Sequence, residues 1–265
     1  MTAAALIGVV APRALASPPP AAAGPTVRLL TANLLKGGAD PATLVDLVRR
    51  HRVDVLTVQE FTPEIEAELD RLGLAALLPY RQLNAEVGTT GSGLYARFRL
   101  ADVGVRRNQG FFFSQAYGTV AVPGAPPVRV ESAHPAAPYA VRVVDDWRTD
   151  LRAQPAATPD GTLRILAGDL NATLDHAPLR ALLRTGYVDA GDAAGAGLTG
   201  TWGPYDGDPI PPGHHRPRAG RPPRRRPRGH RPPDPRHRPP RRPRRTSPSR
   251  RAVIPVRPAR GRGRR

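Results

Sequence analysis

Two rhythms of apolar residues run through the first two hundred positions. Continuous or alternating apolar runs predict strands over residues 27–32 (VRLLTA), 53–58 (VDVLTV), 92–96, 117–122, 128–133 and 163–167. Helical spacing lies between them. Asp40 offers an N-cap and Pro41 a first helical position, followed by Leu44, Leu47, Val48 and His51 on one face. Thr62-Pro63 opens a second helix, with Ile65, Leu69 and Leu72 on one face and Gly73 as its stop. Residues 139–154 and 177–184 are further helix candidates. Strands mixed with helices, some of them adjacent as hairpins, predict a layered α/β (α+β) domain over residues 26–212.

Outside that span the pattern changes. Residues 1–25 carry a short apolar stretch and an Ala14-Leu15-Ala16 sequence before Ser17, followed by a Pro/Ala run. The stretch is too short to span a bilayer, and with the A-x-A pattern it reads as a signal-like or membrane-proximal leader and linker. The expected location is therefore outside the cell, or on the outer face of the cytoplasmic membrane. Residues 213–265 are rich in Arg and Pro, have no apolar periodicity and are expected to be unstructured.

Charge divides the chain at the same place. The formal net charge is +18, which taken alone suggests an acidic partner. Residues 1–212 hold 19 basic and 21 acidic residues, whereas residues 213–265 hold 21 basic residues and only Asp234. The body is thus nearly neutral, and only the tail suits a polyanion. The chain has no Cys, which excludes disulfide scaffolds, thiolate metal sites and a cysteine nucleophile.

Polar residues stand where the predicted strands end: Asn33 in TAN, Glu60 in VQE, His134 after VESA, and Asp169 and Asn171 in GDLNAT. Loops past strand ends are where such scaffolds present reactive groups. Oxygen ligands of this kind suit a hard cation such as Mg²⁺ or Mn²⁺. A carboxylate, an amide two residues on and a His at one mouth suit metal-assisted phosphoester hydrolysis. Each residue alone is equally at home in a solvated loop or an Asx turn. Their joint occurrence in this order carries the reading.

These segments (TANLL, VQE, GSGLYAR, SAHPAAP, GDLNAT and TGTW with Trp202) resemble the endonuclease/exonuclease/phosphatase superfamily over residues 27–202. The resemblance implies a four-layer sandwich: two mixed β-sheets face to face, flanked by helices, with the site at one edge. It implies that Glu60 is a metal ligand and Asn33 supports the metal site. His134 would bind the scissile phosphate, Asp169 would position or deprotonate the attacking water, and Asn171 would contact the phosphate. The opening TANL…DVLTVQE…TPE is most similar to the membrane-associated actinobacterial branch, which implies a lipid phosphate as substrate. A nucleic acid is the alternative. A monomer is expected.

The family pattern also has an I-D-H-V strand and a terminal S/T-D-H-x-P/A-V, and this chain has neither. The missing text is permitted in another reading frame. That frame joins the last two bases of each codon to the first base of the next, with CGN codons for arginine. His215 to Ala219 then permits I-D-H-V, and Arg236 to Pro243 permits G-T-D-H-R-A-V. Residues 213–265 therefore read as a frameshift product beginning within 203–213, with the C-terminal strands missing. The expected protein is a phosphoesterase impaired by the loss of its final Asp-His pair. Two other functions compete. One is a polyanion- or nucleic-acid-binding protein acting through the basic tail, which carries no aromatic residue for base stacking. The other is a pseudoenzyme that keeps the fold without turnover. The Phe111-Phe112-Phe113 run is read as buried core rather than a membrane-dipping loop.

Overall fold

The computed structural model describes residues 11–15, 24–110, 112–157, 161–201 and 252–255. Most of the leader, Phe111, Trp202, the 203–213 junction and the tail apart from 252–255 lie outside these residues, so the expectations placed there concern residues not described.

Two mixed sheets form the body. The first has the order β3 (Tyr80–Asn84), β4 (Ser92–Ala96), β2 (Val55–Gln59), β1 (Thr26–Asn33) and β9 (Ala252–Pro255), and the second β5 (Leu100–Arg107), β6 (Ser114–Val120), β7 (Val128–Ala133) and β8 (Leu163–Gly168). Strand β1 (Thr26–Asn33) runs parallel to β2 (Val55–Gln59), joined by helix α1 (Pro41–Arg50) as the crossover that a parallel pair requires. Asp40 caps α1 by accepting hydrogen bonds from the Ala42 and Thr43 amides. Helix α2 (Pro63–Arg71) follows β2, with Thr62 as its cap. A single turn, α3 (Leu74–Leu77), then leads to β3 (Tyr80–Asn84) and β4 (Ser92–Ala96), both antiparallel additions to the sheet. The second sheet pairs β5 (Leu100–Arg107), β6 (Ser114–Val120) and β7 (Val128–Ala133) antiparallel, and adds β8 (Leu163–Gly168) parallel to β7. Helix α4 (Val144–Arg152) is the crossover between β7 and β8, and α5 (Ala177–Leu183) and α6 (Ala190–Ala193) follow β8.

The period-two alternation of each strand assigns its faces. Val27, Leu29, Val55, Leu94 and Ala96 meet Ala116, Val120, Val128, Val130 and Ile165 in the core between the sheets. Leu30, Ala32, Leu56, Val58 and Tyr95 point the other way, against Leu44, Val45 and Val48 of α1 and Ile65 and Leu69 of α2. A smaller cluster of Trp147 and Leu151 from α4 with Ala136 lies beyond the second sheet. The result is the predicted sandwich, with helices outside.

The inter-sheet core turns polar toward one edge. There Thr57 Oγ1 donates to the Ala167 carbonyl at 3.0 Å, Gln59 Nε2 to Ser132 Oγ at 2.9 Å, and Ser132 Oγ to the Val58 carbonyl at 2.9 Å. These bonds partner the Thr57 and Ser132 hydroxyls and the Gln59 NH₂ group, and they tie one sheet to the other beside the strand ends that carry the candidate residues.

Several elements differ from the sequence reading. Strands β3 and β5 were not expected; both expose much of their surface and so lack a buried alternation to read. The helix expected over 139–154 begins only at Val144, after a 3₁₀ turn over Val141–Val143. Phe112 and Phe113 lie in no strand: Phe113 is buried, while Phe112 is exposed. Within the stretch expected to be unstructured, Ala252–Pro255 forms β9, antiparallel to β1. It is the only consecutive apolar text in that stretch, and it covers a sheet edge that would otherwise present unpaired backbone groups.

Gly168 ends β8 directly opposite Ala133 of β7. A Cβ there would lie 1.9 Å from the Ala133 carbonyl oxygen. Gly168→Ala is expected to destabilise the fold by about 1–3 kcal/mol, the usual range for overpacking, measured as a fall in the urea midpoint.

Candidate active site

Parallel pairing brings the ends of β1, β2, β7 and β8 to one edge, and each end delivers a candidate residue. Asn33 closes β1 opposite Gln59, so Glu60 emerges beside it. Asp169 follows Gly168, which is paired with Ala133, so Asp169 emerges beside His134.

The Asn33 amide joins the two halves. Its Nδ2 donates to Glu60 Oε1 at 3.0 Å and to Asp169 Oδ2 at 3.1 Å, while its Oδ1 accepts from the Leu35 amide at 2.9 Å. One neutral side chain thus spans two carboxylates from two sheets. Among the described residues neither carboxylate has a Lys or Arg partner. Glu60 Oε2 is buried and has no hydrogen-bond partner among the described residues. A buried anionic oxygen left open beside a second carboxylate is what a hard cation would satisfy.

Glu60 takes a left-handed backbone conformation, φ 53°, which an L residue holds only when its surroundings enforce it. Here they do. The Glu60 carbonyl accepts from the Gly37 amide, the Phe61 amide donates to the Gly91 carbonyl, and the Phe61 carbonyl accepts from Glu86. A Cβ on Gly91 would lie 1.9 Å from the Phe61 carbonyl oxygen, which explains the first glycine of GSGLYAR.

His134 is seated by neutral amides. Its backbone N–H donates to Gln115 Oε1 at 3.1 Å, and its carbonyl accepts from Asn108 Nδ2 at 2.7 Å. The imidazole stacks on Phe113, with ring centroids 4.5 Å apart and planes 24° apart. The residue is 2 % exposed, and its Nδ1 has no hydrogen-bond partner among the described residues. Burial pushes the imidazole down to about 4, against the opposing pull of the Asp169 carboxylate. It is therefore neutral at pH 7.

Asn171 completes the edge. Its backbone N–H donates to Asp169 Oδ1 at 3.0 Å, closing an Asx turn, and its own φ of 47° lies in the left-handed region that Asn tolerates. Its Nδ2 donates to the Pro135 carbonyl at 3.1 Å, and its carbonyl accepts from Trp147 Nε1 at 3.1 Å. All five predicted residues thus meet at one edge through direct bonds or one shared neighbour. The supporting residues Asn108, Gln115, Trp147 and Asp150 were not expected. They lie in one strand, one helix and a loop with no motif around them, and only the tertiary contacts reveal the role.

Among the described residues no three His, Asp or Glu side chains gather closely enough to hold an ion alone. The donor set is two carboxylates and an amide. That suits a cation that keeps several waters or takes oxygens from its substrate, as Mg²⁺ does.

Residues 30–250 match the model of the endonuclease/exonuclease/phosphatase family. Solved structures of similar fold include an endonuclease/exonuclease/phosphatase from Beutenbergia cavernae, at 20 % identity and a TM-score of 0.45 over 58 % of this chain and 50 % of that one. Sphingomyelinase C from Streptomyces griseocarneus aligns at 18 % identity and a TM-score of 0.49, over 63 % of this chain and 72 % of that one. A humanized D. rerio TDP2 aligns at 16 % identity and a TM-score of 0.47, over 63 % of this chain and 69 % of that one. The chain thus spans half the length of the Beutenbergia protein. No curated protein matches the sequence significantly.

The buried imidazole makes stability depend on pH. The unfolded chain binds a proton at His134 below the ordinary value of 6.5, whereas the folded chain does not until about pH 4. This group's contribution is therefore fully present above pH 6.5 and is lost progressively down to about pH 4. Urea midpoints measured across that window are expected to fall with pH, and His134→Asn is expected to flatten the slope.

Proposed function

Because the chain belongs to the endonuclease/exonuclease/phosphatase family, we propose that its sheet-edge site hydrolyses phosphate esters with water, assisted by Mg²⁺ or Mn²⁺. The observation that carries this reading is the Asn33 amide shared between Glu60 and Asp169, beside the open Glu60 Oε2. Glu60 would hold the cation and Asn33 would support the metal site. When bound, the ion would polarise a phosphoryl oxygen and acidify a water.

The chain's own residues do the rest. Asp169, fixed by Asn33 on one oxygen and by the Asn171 amide on the other, would orient the attacking water and accept its proton. Neutral His134 would donate a hydrogen bond to a non-bridging phosphate oxygen, and Asn171 would contact the same group. The substrate class is a lipid phosphate or a nucleic acid, met outside the cell or at the outer face of the membrane. Turnover in this chain would be impaired, since the final Asp-His motif is absent from its sequence.

A second reading rests on a separate observation, the 21 basic residues of 213–265. They would bind polyanions without regard to sequence and with a steep dependence on salt.

Hydrolysis of bis-p-nitrophenyl phosphate is expected to require Mg²⁺ or Mn²⁺ and to stop on chelation. Glu60→Gln is expected to lower it by more than the roughly 10- to 100-fold that loss of an outer-shell partner costs, and unchanged turnover would remove Glu60 from the metal site. A version with the frame corrected across 203–213 is expected to turn over roughly a hundred to ten thousand times faster. Equal rates for the two versions would refute the impairment.

A further inference from the structure

Asp150 is a buried carboxylate that the reaction above does not use. It is 0 % exposed, and among the described residues it has no Lys or Arg partner. A buried charge without a counter-ion is costly unless its oxygens are filled by donors. Both oxygens are filled, and by backbone from two separate loops. Oδ1 accepts from the Gly110 amide at 2.8 Å and Oδ2 from the Ala136 amide at 3.0 Å.

These loops bracket His134. Gly110 belongs to the β5–β6 connection, which delivers Phe113 onto the imidazole. Ala136 lies two residues past His134 itself. The first loop lies hard against α4: a Cβ on Gly110 would come within 2.7 Å of the Asp146 carbonyl oxygen. One turn further along, Gln154 Nε2 donates to the Asp150 carbonyl at 3.0 Å and to Gln115 Oε1 at 3.1 Å. That same Gln115 oxygen receives the His134 amide. Asp150 of α4 therefore bonds the two loops that bracket the imidazole, and Gln154, two residues past the helix end, bonds the Gln115 oxygen that holds the His134 peptide.

We propose that Asp150 is a positioning residue, a clasp that holds the two loops bracketing His134 so that the imidazole faces the scissile phosphate. The assignment rests on the reading of His134 as the group that meets that phosphate. An aspartate is required because both partners are N–H donors. Asparagine has nearly the same shape but offers one acceptor, and its NH₂ would face an N–H, so one loop would come free.

The test uses the full chain with Mg²⁺ and compares Asp150→Asn with Val48→Ala, a core truncation under α1 in the opposite layer. The first readout is the His134 imidazole proton resonance, which the stacked Phe113 ring is expected to shift upfield in the native chain. Asp150→Asn is expected to move it toward the value of an unstacked imidazole, whereas Val48→Ala leaves it in place. The second readout is bis-p-nitrophenyl phosphate turnover. In Asp150→Asn, kcat is expected to fall roughly 10- to 100-fold, the cost of a misplaced group, with KM little changed. An unmoved resonance in Asp150→Asn, or an equal shift in Val48→Ala, overturns the clasp. If the native chain shows no turnover, the functional reading fails on its own and the resonance alone decides the clasp. If Asp150→Asn does not fold, hydrogen exchange in the native chain decides. The Gly110 and Ala136 amides are expected to exchange only through global unfolding, and rapid local exchange at either overturns the proposal.

Discussion

The site depends on one neutral amide held between two acids. Asn33 Nδ2 donates to Glu60 from the first sheet's edge and to Asp169 from the second's. Side-chain NH₂ groups have two donors, and both are spent here, so the amide fixes two carboxylates without cancelling their charge. A Lys or Arg in its place would neutralise the pair and remove the attraction for a cation. An aliphatic residue would leave two acids repelling each other with nothing between them. The choice of asparagine thus keeps the edge negative while keeping it ordered.

Reaching that geometry constrains the backbone in several places at once. Glu60 and Asn171 both adopt left-handed conformations, and Gly91 and Gly168 both sit where any side chain would meet a carbonyl oxygen. Such positions cost stability and persist only where their neighbours enforce them. The enforcing contacts are main-chain bonds, such as the Phe61 amide to Gly91 and the Gly37 amide to the Glu60 carbonyl. The motif glycines are therefore part of the loop geometry that aims the carboxylates.

The second sheet solves a different problem, which is how to seat an imidazole in a buried place. Its support is a set of amides, Asn108, Gln115 and Gln154, joined to the ion pair of Glu131 with Arg106. Gln115 Nε2 donates to Glu131 Oε1 at 2.7 Å, and Arg106 Nη2 donates to Gln154 Oε1 at 2.9 Å. A buried polar network is useful only when nearly every member is satisfied, and here each of these bonds fixes the direction of the next. Against that background, His134 Nδ1 has no hydrogen-bond partner among the described residues.

The sequence alone determined the layered fold, the helices capped by Asp40 and Thr62, and the five polar residues at strand ends. Those signals are local: a period, a cap, or a residue type just past an apolar run. It did not reveal the exposed strands β3 and β5, since an edge strand without a buried face has no alternation to read. It placed the three phenylalanines together in the core, whereas the chain sends Phe112 outward and Phe113 onto His134. Nor could it single out Asp150 in VDDWRTDLR, where Asp145 and Asp146 look equally acidic. Only the tertiary structure decided that Asp150 turns inward to meet two distant loops. A helix position acquires that role from what packs across from it, and packing partners far apart in the chain leave no periodic trace in the sequence.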